Sequence, residues 1–130
     1  MAISVIRLGT PRAKSEGLRI GVVRRPPRGV RKADYARRGY YDAWLPELAP
    51  SAKWVSWALA KAWTGARWAK YARNYRREMK APDRQHLIEL LAELSRHTDF
   101  SIGCYCERAE RCHRSILRGL LAGEGAKIAR

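Results

Sequence analysis

Two short β-branched runs, ISVIRL at residues 3–8 and LRIGVV at residues 18–23, constrain the fold more than any other feature of the chain. Each is bounded by Gly or Pro, which is how buried strands read. The nine residues between them, GTPRAKSEG, fall below the dozen or so usual for a parallel crossover. Spacing alone therefore leaves an antiparallel pair open. In RPPRG, residues 25–29, Pro26 and Pro27 end the second run, because neither carries the amide hydrogen that a ladder or a helix needs. From there to Trp44 the chain is basic and turn-rich, and no element is assigned.

The remainder reads as helices with one further strand. Ser51, after Pro50, is placed to cap a helix with Trp54, Ala58 and Ala62 at helical spacing, and Thr64 to cap the next. Over residues 67–80, Trp68, Tyr71, Ala72, Tyr75 and Met79 share one face, while Arg67, Lys70, Arg73 and Arg77 crowd the other. The aromatic stripe reads as core. The basic side is either solvated or a face that grips nucleic-acid phosphates. Asp83 follows Pro82 as an N-cap, and Leu87, Leu90, Leu91 and Leu94 recur at i, i+3, i+4, i+7 toward an end near His97. Residues 100–104 then read as a strand and residues 115–121 as a helix closed by Gly123. The tail GEGAKIAR, residues 123–130, reads as a loose end.

A chain of 130 residues fits one domain, residues 1–130, large enough to bury a core without staples. Its net charge of +15 favours phosphate-bearing or polyanionic partners, the plainer alternative being a solvated basic surface. No apolar run approaches the ~18 residues of a membrane helix, and MAISVIRLG lacks the pattern of an export signal, so no membrane partner is expected. Three clustered cysteines, an odd number, argue against a disulfide framework and for a reducing compartment, the cytoplasm.

All three cysteines lie in CYCERAERCHR, residues 104–114, which spans the turn from the last strand to the last helix. A helix starting near Cys112 points its free amides and the positive end of its dipole at whatever lies above the sheet edge. With Arg111 and Arg114 beside it, that field favours a thiolate at Cys112 or Cys106. Three other readings compete. Zinc held by Cys104, Cys106, Cys112 and His113 has four N and S ligands in its favour, but adjacent Cys112 and His113 are awkward and the C-x2-C knuckle is missing. A phosphatase-type loop needs Cys and Arg separated by five residues, and from Cys106 that count lands on Cys112. In a packing reading, Cys104 is core, Cys106 and Cys112 are edge thiols, and His113 caps backbone.

RPPRG begins where the second strand finishes, as CYCERAERCHR does for the last, and in open parallel sheets ligands bind beyond the carboxyl ends of the strands. If the strands run parallel, Arg24 and Arg28 face the cysteines and can hold phosphate or carboxylate bidentately. His86 and His97 read as solvent or helix-end residues. Asp42, in DAWLPELAPS, is a candidate general base or Arg partner.

Taken together, RIGVVRRPPRG, DAWLPELAPS and WAKYARNYRREM resemble, in order, three blocks of the family called domain of unknown function 488, especially its short, YeaO-like members. CYCERAERCHR is similar to the Cys and Cys-His-Arg ending of longer members. The resemblance covers nearly the whole chain. By it, Arg24, Arg28, Asp42, Ser51, Tyr75, Cys104, Cys112, His113 and Arg114 fall on recurring positions, and the first two strands are expected to run parallel. Val23 stands where an aspartate is common and Pro26 where a tryptophan is, so a mechanism needing that acid is not implied.

The expectation is a three-layer α/β domain with a small, mainly parallel sheet flanked by four or five helices. Its site is expected to join Arg24, Arg28 and Arg114, with Ser51 and Tyr75, as anion-binding groups to Cys106, Cys112, His113 and Asp42 as catalytic ones. The substrate expected is a nucleotide or nucleic acid, with no cofactor. The alternatives are zinc on the four Cys and His ligands, or a non-catalytic nucleic-acid-binding module using Arg67, Lys70, Arg73 and Arg77.

Overall fold

The structure, a computed structural model, describes residues 1–129. Four strands, β1 (Ile3–Arg7), β2 (Leu18–Gly21), β3 (Ala43–Trp44) and β4 (Phe100–Cys104), form one parallel sheet in the order β1-β4-β2-β3. The first two strands run parallel but do not pair. β4 lies between them, with Val5 and Ile20 both opposite Ile102. A short connection with no helix suffices because residues 8–17 pass over β4 as coil. Ala43 and Trp44, in the stretch that sequence left unassigned, extend the sheet as β3.

Alternation along the strands assigns each residue to a face. Ile3, Val5, Ile20, Phe100 and Ile102 point to one side, where all four helices pack: α1 (Ala52–Leu59), α2 (Gly65–Met79), α3 (Pro82–Leu94) and α4 (His113–Gly123). Tyr75, Met79, Ile88, Leu117 and Leu121 complete this core, each aliphatic side chain contributing roughly 1.5–3 kcal/mol by burial. The opposite face has coil as its outer layer. Gly21 and Gly103 belong to that face, where a Cβ would press on the ring of Tyr41 and on the side chain of Leu8, so glycine lets these residues pack directly on the sheet. The three layers are therefore helices, sheet and coil.

Arg19 fastens the coil layer. Its side chain is fully buried, pairs with Glu16 at 2.8 Å, and donates to the carbonyls of Thr10, Pro11 and Gly39. Asp42 accepts from Arg12 at 2.8 and 2.9 Å and from the Arg19 amide at 2.8 Å, at the amino end of β3.

Several local readings change. Thr64 caps α2 by accepting from the Arg67 amide at 3.1 Å, whereas the Ser51 hydroxyl makes no cap bond and the Ser51 amide donates to Glu78. α3 begins at Pro82 with Ala81 as its N-cap, so Asp83 lies inside the first turn, near the positive end of the dipole. Its core stripe is Ile88, Leu91 and Ala92, one residue round from the leucine pattern, and Leu90 and Leu94 face outward. Residues 127–129 of the tail lie along β1. Ile128 lies parallel to Ile3, whose amide donates to the Lys127 carbonyl and whose carbonyl accepts from the Ala129 amide, each at 2.8 Å. These bonds satisfy the outer edge of β1, which would otherwise be left open.

Candidate functional site

In a parallel sheet every strand ends on the same side, so the segments following β2 and β4 emerge together. Two direct links join them. The Tyr105 hydroxyl donates to the Arg25 carbonyl at 2.8 Å, and the buried His113 ring meets the Val22 carbonyl at 2.6 Å. Arg24 reaches across to the start of α1, donating to the Pro50 and Ala49 carbonyls at 2.9 and 3.2 Å.

Between them opens a pocket of about 330 Å³. Trp63, Tyr71 and Tyr105 give it aromatic walls, Val55, Ala58 and Leu59 an aliphatic side, and Arg24, Arg25 and Arg111 its cations. Cys104, Cys106 and His113 line it as well.

The thiols of Cys104, Cys106 and Cys112 all lie within 4.8 Å of one another. They can hold a metal ion. Cys104 and Cys112 are buried, and Cys106 alone is exposed. β4 delivers Cys104 at its last residue, the short coil after it turns Cys106 outward, and Cys112 occupies the N-cap of α4. The group thus sits at the positive end of that helix.

The three thiols divide their protons unequally. Cys104 and Cys112 both hydrogen-bond to Cys106, which pulls the Cys106 thiol far below its ordinary value, and the charge of Arg114 acts the same way. The same bonds, together with burial, push Cys104 up to about 11 and Cys112 higher still. The first proton therefore leaves the cluster at Cys106.

His113 is neutral. Burial depresses it to about 4 against the favourable bond to the Val22 carbonyl. A carbonyl only accepts, so Nε2 carries the hydrogen and the bare Nδ1 faces the Cys112 sulfur at 3.7 Å. Arg114, 4% exposed, donates to the Ile6 and Cys104 carbonyls at 3.0 and 3.2 Å, and its Nε has no partner. No carboxylate pairs with it among the described residues. Its charge is among the smaller influences that favour a thiolate at Cys106.

The remaining expected site residues lie elsewhere. Arg28 is exposed and outside the pocket. Asp42 lies at the opposite end of the sheet, so it is an Arg partner rather than a base in this pocket. Tyr75 is fully buried and donates to the Leu48 carbonyl at 2.7 Å, and Ser51 does not line the pocket. Arg67 stacks 4.0 Å above Trp57 and donates to its carbonyl, and Lys70 lies over the same ring. Arg73 and Arg77 instead share a groove with Arg76 and Lys80. Arg111, expected for its charge beside the thiols, lines the pocket, and Arg25, Trp63 and Tyr105 enter the site without having been singled out. Arg25 and Tyr105 stand inside RPPRG and the cysteine run, and Trp63, in KAWTG, is near neither.

The molecule is thus a parallel α/β domain with a cluster of three thiols and a set of arginines at the carboxyl ends of its strands. A family model described as DUF488-N3a, Active DUF488-N3 subclade, matches residues 3–125, and the chain belongs to the DUF488 family. Neither the curated proteins nor the solved structures give a match.

Proposed function

We propose that this protein is an enzyme acting on a phosphate-bearing substrate, a nucleotide or a nucleic acid, with Cys106 as its thiolate nucleophile. The observation that carries the reading is one exposed thiol, with two buried thiols within 4.8 Å of it, lining a pocket that also presents Arg25 and Arg111. Trp63, Tyr71 and Tyr105 offer faces to a planar base, and Arg25 and Arg111 offer charge to phosphate. Arg24 holds the start of α1 against the pocket, and Arg114 acts on Cys106 rather than on the substrate. Cys112 and Cys104 keep their protons and donate to the Cys106 sulfur. The word active in the description of the matched subclade agrees with a catalytic role. Three unpaired thiols suit a reducing compartment, and we place the chain in the cytoplasm.

Alkylation by iodoacetamide tests this. Cys106 should react first and at a nearly constant rate from about pH 6 to pH 9, because it is already ionised throughout. An apparent pKa near the free value of about 8.5 removes the nucleophile. A second reading rests on the three sulfurs within 4.8 Å of one another, which suit zinc with His113 as an outer neighbour. One equivalent of zinc in protein purified without chelator, lost together with the fold on chelation, establishes that reading in place of the first.

A further inference from the structure

We propose that the substrate is a single strand of nucleic acid, its phosphates lying along α2 over Arg73, Arg76, Arg77 and Lys80 while one nucleotide enters the Cys106 pocket beside Arg111. The chemistry rests on the reading of Cys106 above. The binding rests on a separate surface.

That surface is a groove of about 650 Å³, lined by the four cations and by Trp68. None of the four meets a carboxylate among the described residues, whereas Arg84 on neighbouring α3 and Arg96 just past its end each pair with an acid. Arg77 bonds only the neutral Asn74 amide, at 3.1 Å. A row of cations left without counter-charge is what a polyanion requires.

Arg111 makes the groove continuous with the thiol pocket. It lines that pocket, and its guanidinium lies 5.5 Å from the ring of Trp68, which lines the groove. Trp68 packs against Trp63 and Tyr71 with ring centroids 5.5 and 5.6 Å apart, and both of those partners belong to the pocket wall. Cation and aromatic surface alternate from one opening to the other, the combination that holds single strands.

Length argues against a free mononucleotide. From Ala69 to Lys80 the helix rises about 16 Å, several times the roughly 3.4 Å advance of one nucleotide. Shape argues against a duplex, because a base enters the pocket that Cys106 lines only after leaving the stack.

Fluorescence anisotropy with a labelled single strand of about twelve nucleotides tests the proposal. Replacing Arg76, Arg77 and Lys80 by Ser should weaken binding about tenfold and flatten the slope of log K against log salt by about two. Replacing Lys14, Arg118 and Lys127, exposed residues that line neither opening, removes the same charge and should change binding by no more than about twofold. The strand should also slow alkylation of Cys106, and neither inorganic phosphate nor the matching duplex should. Equal losses in the two triple variants reduce the binding to net charge and overturn the proposal. So does a strand that binds without protecting Cys106, or a duplex that binds more tightly than the strand. If the strand protects Cys106 but that thiol titrates near its free value, the nucleophile falls and the binding surface stands.

Discussion

Glu16 and Arg19 show how one buried pair organises a face of this protein that has no helices. Arg19 is 0% exposed, and its donors are spent on Glu16 and on three carbonyls from two separate coil segments. Removing the anion leaves a buried charge without compensation. Glu16→Ala should therefore cost about 3–5 kcal/mol in urea unfolding, while substitution of the exposed pair member Arg96 should cost less than about 1 kcal/mol. At the thiols the arrangement differs. Arg114 meets no carboxylate among the described residues, and its donors go to the Ile6 and Cys104 carbonyls.

α2 carries three tasks on three faces. Tyr71, Ala72, Tyr75 and Met79 join the core, Arg67 and Lys70 cover Trp57, and the stripe through Arg73, Arg76 and Lys80 faces the open groove. Its start is fixed by Thr64, which satisfies one amide that the first turn leaves free. Thr64→Ala should lower stability by about 1 kcal/mol in chemical denaturation, and Ser51→Ala by much less, because the Ser51 hydroxyl caps nothing. β4 gives the complementary case. It is buried along its whole length, and small residues at Ser101 and Gly103 let the coil layer close on it.

Across the whole molecule, stability should fall on the acid side. His113 is depressed to about 4 from 6.5, so the folded state favours the neutral ring. Its contribution is complete above pH 6.5 and is lost as pH falls toward 4, as the unfolded chain takes up the proton first. The loss amounts to roughly 3 kcal/mol over that window. Glu16 acts in the same direction at lower pH. Burial raises it, but the bonds from Arg19 and from the Ala13 amide hold it below its ordinary value, so its support disappears as it is protonated. Urea midpoints measured from pH 7 to pH 4 should decline steadily in the wild type. In His113→Gln the decline should be much shallower.

Strands β1, β2 and β4, the α2 helix and the turn at residues 104–114 were legible in the sequence because each depends on local chemistry, whereas β3 was not. β-Branched runs, helical spacing and a threonine cap need no distant partner to be recognised. The charge and the grouping of the cysteines in one turn were equally plain. Tertiary structure decided what depends on two segments meeting. It placed β4 between the first two strands, turned α3 so that Ile88 rather than Leu90 faces inward, and laid the tail along β1. It also separated three chemically identical thiols, leaving Cys106 exposed beside Arg25 and Arg111 and burying Cys112 against His113. The reason is physical: a thiol's proton affinity depends on burial and on neighbouring dipoles, which only the assembled chain supplies.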